Sequence, residues 1–313
     1  MANKLKEHKS AASFSASRNT VVTIGTFDGV HLGHKAILKR LVETAQKEHL
    51  ESVLLTFFPH PRMVLQKDSD LKLLNTLPEK KALLEELGVD HIVVQPFTRE
   101  FSRLNAVEYV RDILVHQLKA KKIIIGYDHR FGRNRTANID DLKEFGEVYD
   151  FVVEEISAKE LDDVTISSTK IRNALSEGAI ETANNYLGYP YQLHGTVVKG
   201  KSLGKTISYP TANLKVSASY KLIPKNGVYL TKVHIADETH YGLTSIGTNP
   251  TVGGTSQTIE TFILDFEKDL YGKELTIEFI DFIRDELVFE NMEALKKAIH
   301  EDEKHARNYL AKQ

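Results

Sequence analysis

The sequence predicts an α/β domain built on a parallel sheet, followed by an antiparallel β-barrel or sandwich. In the first half, continuous apolar strand-like runs alternate with helix-patterned segments, which indicates a parallel sheet covered on both faces. In the second half, short strand-like runs follow one another with Gly, Pro and Asn between them. The 313 residues exceed the roughly 250 that one hydrophobic core usually supports. We expect a flexible tail over 1–18 and domains over 19–187 and 188–313.

Apolar periodicity places the elements of both domains. The expected strands of the first domain are Thr20–Ile24, Ser52–Phe58, Asp90–Gln95, Lys122–Ile125 and Tyr149–Ile156, and its expected helices are His34–His49, Pro78–Leu87 and Ala106–Leu118. The expected strands of the second domain are Tyr191–Val198, Gly227–Ile235, Glu238–Ile246, Ile259–Leu264 and Leu275–Arg284. A helix over Phe289–Lys312 closes the chain, with Met292, Leu295, Ile299 and Tyr309 on its apolar side.

Composition excludes several classes of protein. The chain has no cysteine, which excludes disulfides, thiol catalysis and cysteine-ligated zinc. Its net charge of -2 argues against a large nucleic-acid interface. We find no apolar run of membrane-spanning length, and residues 1–18 lack the apolar segment of a secretory leader. We therefore expect a cytoplasmic enzyme or binding protein without a nucleic-acid or membrane partner.

The first strand is followed by the string G-T-F-D-G-V-H-L-G-H. Gly25 lets the chain turn and lets a ligand approach the backbone, while Gly29 and Gly33 keep the loop free of side chains. The helix that begins near the end of the string presents N–H groups that can bind a phosphate. His31 and His34 can reach the same phosphate, and as imidazolium ions they would offset its charge. A turn with two solvated histidines and a zinc-binding pair are the alternatives.

Three further segments have patterns typical of phosphate chemistry. The string I-S-S-T-K-I-R begins a helix whose N–H groups, together with Arg172, can hold a triphosphate. Gly200 and Gly204 bracket a lysine-rich loop that can fold over a polyphosphate. Thr211 and Asn213 supply two oxygen ligands on one side of an extended segment, and such ligands suit magnesium. Taken alone, each of these segments could equally be a cap or a turn.

Glu260 is a carboxylate within an otherwise apolar strand pattern. Such a residue is either exposed by the alternation of side chains or placed to accept a proton. Both interpretations remain open from the pattern alone.

Several strings together resemble the bacterial bifunctional riboflavin kinase/FAD synthetase family. In the first half, G-x-F-D-G-x-H-x-G-H and I-S-S-T-x-I-R resemble nucleotidyltransferase signatures, while F-F-P-H-P-R and G-Y-D-H-R-F-G resemble flavin-site segments. In the second half, H-G-T-V-V-K-G, S-Y-P-T-A-N-L, S-I-G-T-N-P-T, I-E-T-F-I-L-D-F and R-D-E resemble riboflavin kinase. The chain departs from the family pattern at Phe58, His129 and Phe262, and we interpret Phe262 as a packing change.

The resemblance implies a Rossmann-like nucleotidyltransferase domain and a Greek-key barrel that together convert riboflavin to FMN and FMN to FAD with Mg-ATP. The implied catalytic residues are Glu260, His31, His34 and Arg172. The implied ATP-binding residues are Gly25, Phe27, Gly33, Ser167, Ser168, Thr169, Gly200, Lys201, Gly204, Lys205 and Thr211. The implied flavin-binding residues are Phe58, His60, Pro61, Asp128, Arg130, Asn249 and Arg284. The implied magnesium ligands are Thr211 and Asn213.

Two other functions fit part of these observations. A cytidylyltransferase for a lipid or sugar precursor would share the H-x-G-H string, but it would not need the kinase-like second half. A flavin-sensing regulator would keep the fold without the chemistry. The joint presence of His31, His34, Thr211, Asn213 and Glu260 argues against a regulator. The sequence does not predict an oligomeric state.

Overall fold

The computed structural model describes residues 4–66, 69–127, 129–157, 166–200, 209–251 and 254–312. Contacts between Cα atoms divide the chain into two compact units, one ending at Ser167 and the other beginning at Ser168. The two units are described separately below.

The first unit is built on a six-stranded parallel sheet with strand order β1-β4-β3-β2-β5-β6. Its strands are β1 (Lys6–His8), β2 (Thr20–Ile24), β3 (Glu51–Phe58), β4 (His91–Pro96), β5 (Ala120–Gly126) and β6 (Val152–Ile156). Its helices are α1 (Leu32–Glu48), α2 (Pro61–Leu65), α3 (Leu77–Glu86), α4 (Ala106–Glu108, continued by π-helix Tyr109–Gln117) and α5 (Ile139–Tyr149), with 3₁₀ turns at Ala11–Ser13, Phe101–Arg103 and Arg133–Arg135. The predicted α/β fold is confirmed.

The core of the first unit explains why the strands form a parallel sheet. The central strands carry side chains that are fully buried on both faces, such as Val22, Leu54, Leu55 and Ile123. Leu114, on the π-helix, covers one face and is also fully buried. Strands of this composition cannot leave a face in water, so helices must cover both sides.

The segment expected to be a flexible tail differs from that expectation. Lys6–His8 forms strand β1, which pairs in parallel with β4. Ala11 is buried, and the ring of Phe14 lies 5.2 Å from the ring of His91. The polar composition that suggested a tail suits a short edge strand equally well.

A chain of polar contacts ties β1 to the sheet. Nε2 of His91 lies 2.5 Å from Oε2 of Glu51, and Nδ1 of His91 lies 2.9 Å from Nε2 of His8. Ser17 donates its backbone N–H and its hydroxyl to the same Glu51 carboxylate. Burial alone would raise the pKa of Glu51, but the hydrogen bonds from Ser17 and His91 lower it to about 2. The ionised carboxylate is therefore part of the fold.

The second unit contains a closed antiparallel barrel with strand order β10-β11-β8-β7-β12-β9. Its strands are β7 (Gln192–Val198), β8 (Thr211–Lys215), β9 (Gly227–Ile235), β10 (Glu238–Thr251), β11 (Gly254–Ile263) and β12 (Glu274–Arg284). Its helices are α6 (Ser168–Glu177), α7 (Ile180–Leu187) and α8 (Met292–Leu310). The predicted barrel is confirmed. The sequence analysis did not predict β8, because five residues are too few to show a clear alternation of apolar and polar side chains.

Helices α6 and α7 pack on the barrel. Asn184 of α7 donates from Nδ2 to the carbonyl of Phe279 at 2.9 Å and accepts the N–H of Tyr191 at 2.7 Å. The N–H of Lys225 donates to the carbonyl of Leu175 in α6 at 3.0 Å. These helices lie within 19–187, which we expected to be the first domain, but their contacts group them with the barrel. The expected boundary near residue 188 stays a prediction.

The closing helix α8 packs through fewer apolar residues than predicted. Ala306 is fully buried against Leu230 and Leu243 of the barrel. Met292 is 45% exposed, so its expected place on the buried side is wrong. It is the first residue of α8. Instead, the buried Asp302 carboxylate, which is paired with a barrel arginine, anchors the middle of the helix.

We expect a fragment of residues 168–313 to be more stable than one of residues 188–313. The shorter fragment loses the buried side chains of α6 and α7 and the two hydrogen bonds of Asn184. Its melting temperature should be lower by more than about 5 °C, as measured by circular dichroism. Equal melting temperatures would contradict the assignment of these helices to the second unit.

We expect Glu51→Gln to lower the free energy of unfolding by about 2 kcal/mol at pH 7, because a buried charged acceptor is lost. The folded-state pKa of Glu51 is lowered, so this stabilisation is present above the ordinary value of 4.5 and is lost as the pH falls from 4.5 towards 2. Urea titrations should therefore show a large difference in the free energy of unfolding between Glu51→Gln and the unaltered chain at pH 7, and a smaller difference at pH 3. Glu43→Gln, on the exposed face of α1, should change stability little at either pH.

Candidate functional sites

The loop from β2 to α1 lies where parallel strands end, which is where such sheets bind ligands. Its backbone is unusual, because Phe27 and Val30 have φ angles of 45° and 37° and Gly29 has a φ of 87°. A Cβ atom on Gly25 would lie 2.9 Å from a ring carbon of Phe27. Gly25 is therefore needed to make room for the Phe27 ring. Non-glycine residues with positive φ are strained, so the surrounding contacts must hold this loop in place.

His31 and His34 lie at the start of α1 and contact each other. Nδ1 of His31 accepts the backbone N–H of His34 at 3.4 Å, which caps the helix. The two imidazole rings stack with centroids 3.6 Å apart, and the ring of Phe27 lies 4.7 Å from that of His34. A Cβ atom on Gly33 would lie 3.4 Å from the His31 ring, which is an ordinary contact distance, so the ring does not itself require glycine there. The structure thus brings the two predicted histidines together.

The environment of His34 lowers its pKa in the absence of a phosphate. Burial lowers the pKa of His34 well below its ordinary value, and the nearby charges of His31 and Lys80 lower it further. Among the atoms that the structure describes, Nδ1 of His34 has no hydrogen-bond partner. His34 is therefore a neutral imidazole at pH 7, suited to donate or accept a hydrogen bond. A phosphate beside it would raise its pKa again.

Two residues that the sequence analysis did not single out hold the loop. The buried carboxylate of Asp28 accepts the N–H groups of Leu74 and Asn75 at 2.9 and 3.3 Å. The buried ammonium of Lys80 donates to the carbonyl of Thr26 at 2.7 Å. Asp28 stood within the quoted string but had no evident partner. Lys80 gave no signal in the sequence, because its partner lies 54 residues away in the chain.

The loop borders one of the two segments predicted to bind flavin. Phe58 and His60 line the same small cavity, of about 10 Å³, as Thr26 and Asp28. His60 caps α2 by accepting the N–H of Arg62 at 3.1 Å, and the predicted flavin residue Pro61 is the first residue of that helix. A cavity of this volume holds one water molecule and not a flavin ring. Flavin binding by these residues stays a prediction.

Aromatic rings connect the two predicted flavin segments. Neighbouring ring centroids lie between 5.7 and 6.1 Å apart along the series Phe57, Phe97, Phe101, Tyr109 and Phe131. His129 stacks on Phe131 at 6.1 Å. Arg130 is exposed, and Asp128 lies outside the described residues. The sequence analysis did not single out Phe97 and Phe101, because nothing in the sequence distinguishes them from core aromatics.

The segment I-S-S-T-K-I-R crosses the division between the units, with Ile166 and Ser167 in the first and the five residues from Ser168 in the second. Ser168 and Thr169 are the first residues of α6, Ser167 precedes it, and Arg172 is half-buried one turn later. The predicted helix start is therefore correct. Its expected contribution to ATP binding stays a prediction.

Three of the predicted kinase residues lie together in the barrel. Asn213 of β8 lies directly opposite Glu260 of β11 in the antiparallel register. The hydroxyl of Thr211 donates to Oε2 of Glu260 at 3.0 Å. Asn213 and Glu260 line a cavity of about 650 Å³ together with Lys199 and Gly200. This volume suits a nucleotide or a flavin.

Gly200 fits closely against Asn213. A Cβ atom at position 200 would lie 2.2 Å from Nδ2 of Asn213, so no larger residue fits without moving that amide. Other predicted ATP-binding residues of this loop, Lys201, Gly204 and Lys205, lie outside the described residues. Asn249 lies in β10, opposite Ser256 of β11 in the register.

The oxygen donors of Thr211 and Asn213, beside Glu260, fit a magnesium ion. The Thr211 hydroxyl donates a hydrogen bond to Glu260. The lone pairs of the hydroxyl oxygen therefore remain available to bind a cation. Asn213 supplies an amide oxygen from the same face of β8, two residues along. Hard oxygen donors of this kind, together with phosphate oxygens, are the ligands that Mg²⁺ prefers.

Arg284 has a structural partner in addition to its predicted flavin role. Its guanidinium binds the buried carboxylate of Asp302 through Nε and Nη2, at 2.9 and 2.8 Å. This pair joins β12 to α8. Phe262 packs against Tyr209, with ring centroids 5.0 Å apart, and against the cluster beneath α8. The interpretation of Phe262 as a packing residue is confirmed, and the flavin role of Arg284 stays a prediction.

Two searches of the described residues gave no candidate. No group of three or more His, Asp or Glu side chains within the described ranges is arranged to hold a metal ion. None of the helices in that part of the chain has the length and apolar character needed to cross a membrane.

Comparison with known proteins follows the division into two parts. A family model for FAD synthetase matches residues 13–170, and one for riboflavin kinase matches residues 187–310. Among solved structures, the chain is similar to one titled as a macrolide-efflux protein from Streptococcus pneumoniae, with a TM-score of 0.89 and 30% identity over 97% of this chain and 99% of that one.

Curated relatives match both parts at once. A bifunctional riboflavin kinase/FMN adenylyltransferase of Listeria monocytogenes is 40% identical over 94% of this chain and 93% of its own length. The protein of the same description from Escherichia coli K12 is 37% identical over 93% of this chain and 92% of its own length. The two family models and these relatives, which cover nearly the whole chain, indicate the same pair of activities. The chain belongs to the bifunctional riboflavin kinase/FMN adenylyltransferase family.

Proposed function

We infer that this chain phosphorylates riboflavin with ATP to give FMN and then adenylylates FMN with a second ATP to give FAD and pyrophosphate. The observation that carries this inference is that the two predicted histidines contact each other in one unit, while three predicted kinase residues lie together in the other. His31 stacks on His34 at a helix start in the first unit. In the second, Asn213 and Glu260 line a cavity, and the hydroxyl of Thr211 bonds to Glu260.

In the kinase reaction, the 5′-hydroxyl oxygen of riboflavin bonds to the γ-phosphorus of ATP while the bond to the β,γ-bridging oxygen breaks. The proton of the hydroxyl goes to Glu260, and ADP leaves. Glu260 is half-buried beside the cavity, and the hydrogen bond from Thr211 fixes the direction of its carboxylate. Positioning and charge neutralisation supply most of the acceleration in such reactions.

Magnesium forms part of this proposal. Thr211 and Asn213 would hold it, and when bound with ATP it would neutralise charge on the phosphates. The fit of the donor set supports this assignment. We also place the activity in the cytoplasm, where ATP is available to both reactions.

In the adenylyl transfer, an oxygen of the FMN phosphate bonds to the α-phosphorus of ATP, and the bond to the α,β-bridging oxygen breaks to release pyrophosphate. The attacking phosphate is already ionised, so the reaction needs no strong base. The N-terminal N–H groups of α1 and the imidazoles of His31 and His34 would stabilise the charge on the phosphates. Ser168, Thr169 and Arg172 would add donors to the triphosphate.

Product analysis tests this function against its alternatives. Incubation with riboflavin and Mg-ATP should yield FMN and then FAD, separated by chromatography. A cytidylyltransferase would leave riboflavin unchanged and would release pyrophosphate from CTP with a phosphorylated acceptor. A flavin-sensing regulator would bind flavin without forming either product.

We expect replacement of both His31 and His34 by alanine to abolish FAD formation from FMN and leave riboflavin phosphorylation near normal. The two rings lie in the first unit, whereas the kinase motifs lie in the second. Both rates would be measured on the same preparation.

Two controls accompany the histidine variant. His31→Asn keeps an N-cap acceptor and separates helix stability from chemistry. His116→Ala changes an exposed histidine of the same unit and should alter neither rate. Equal loss of both activities in a folded double variant would contradict the assignment.

We expect Glu260→Gln to lower kcat of riboflavin phosphorylation by about 10²–10⁴-fold, because glutamine keeps the shape but cannot accept the proton. The Kd for riboflavin should change little, and FAD synthesis from added FMN should be unaffected. Glu274→Gln is a matched control, since Glu274 is also a strand carboxylate bonded to a threonine hydroxyl. Full turnover by the Glu260 variant would remove Glu260 from the mechanism.

A further inference from the structure

Lys80 is a buried lysine next to the loop of the adenylyltransferase motif. It lies in α3 with 8% of its surface exposed. Burying an ammonium group is unfavourable unless hydrogen bonds and opposite charge compensate. Here burial lowers the pKa of Lys80, and the negative charge of Asp28 raises it. The ammonium of Lys80 thus bonds to the strained loop, and its charge acts on the His34 ring.

The ammonium of Lys80 fixes the backbone at the first turn of the loop. It donates to the carbonyl of Thr26 at 2.7 Å, and the hydroxyl of Thr56 donates to the same oxygen at 3.2 Å. The next residue, Phe27, has a φ of 45° and places its ring 4.7 Å from that of His34. Two donors on one carbonyl resist rotation of the peptide that sets the direction of Phe27.

We propose that Lys80 is a positioning residue for adenylyl transfer, which holds the Thr26 carbonyl and thereby the conformation of the loop that presents His31 and His34. The inference rests on the proposed function, because it assigns Lys80 to one of the two reactions. Lys80 does not touch the reacting atoms in this role; it acts through Thr26 and through its charge.

The charge of Lys80 gives the proposal a second consequence. The titratable and charged groups that face His34 are His31 from its own helix and Lys80 from α3, while Asp28 faces Lys80 from the loop. Removal of the ammonium raises the pKa of His34 towards its ordinary value. In this role the neutral imidazole of His34 is the active form, and protonation of the ring at low pH causes the acid limb of the pH profile of FAD synthesis. That limb should therefore move to higher pH.

The test compares Lys80→Met, Lys80→Arg and Lys81→Met in the full chain. Methionine retains much of the apolar stem of lysine without its charge, and arginine retains the charge. Lys81 is the matched control, since it is the next residue of α3 and forms a surface pair with Glu7. Each variant is assayed for FAD formation from FMN across pH, with FMN formation from riboflavin as an internal measure of the second unit.

We expect Lys80→Met to lower kcat of FAD synthesis by about 10- to 100-fold and to move the acid limb to higher pH. Lys80→Arg should keep the acid limb of the unaltered chain, and Lys81→Met should match the unaltered chain in both readouts. Unchanged kcat in Lys80→Met, or a lower kcat with an unmoved acid limb, overturns the proposal, because lost packing alone does not change the charge at His34. If Lys80→Met does not fold, an acid limb displaced in Lys80→Arg overturns it.

NMR titration of the His34 ring separates this inference from the proposed function. The His34 signal is identified by its loss in His34→Gln. A higher pKa in Lys80→Met than in the unaltered chain is expected whether or not FAD forms. If the unaltered chain forms no FAD, the proposed function fails, while an equal His34 pKa in the two proteins overturns the role of Lys80.

Discussion

The pairing of β2 with a parallel strand on each side determines where the first unit can bind a phosphate. With β3 and β5 on either side, β2 ends at Ile24, and the loop 25–31 leads from the carboxyl edge of the sheet to α1. The helix start, its N–H groups and His31 are thereby delivered to the carboxyl edge of the sheet. The barrel has a comparable constraint, since the register of β8 against β11 sets Asn213 opposite Glu260. In both units, backbone pairing places the candidate site before any side chain refines it.

The sequence predicted those parts of the structure that depend on local pattern. The alternation of strands and helices, the helix starts near Gly33 and Ser168, and the carboxylate within an apolar strand are all visible within a few residues. Contacts between distant segments were not visible. Lys80 on Thr26, Arg284 on Asp302 and the fit of Gly200 against Asn213 arise only when the chain has folded. The lowered pKa of His34 was also not visible, because burial is a property of the fold and not of the string.

The first unit uses buried charge at both edges of its sheet, with different consequences. At the carboxyl edge, Asp28 and Lys80 hold a loop that must present polar groups to a ligand. At the amino edge, Glu51, His91 and His8 form a series of contacts that ties β1 to the sheet. Charge at the amino edge therefore contributes to stability, whereas charge at the carboxyl edge also sets the geometry of the candidate site.

Strand β1 also affects how the protein behaves in solution. It is the edge strand of the sheet and covers β4, whose sequence H-I-V-V-Q-P is apolar and rich in β-branched residues. An uncovered strand of this kind is a template for pairing with another chain and a common start of aggregation. The short, charged β1 offers a poor edge for such pairing. A chain shortened past His8 would expose β4 and would be prone to self-association, even with both candidate sites intact.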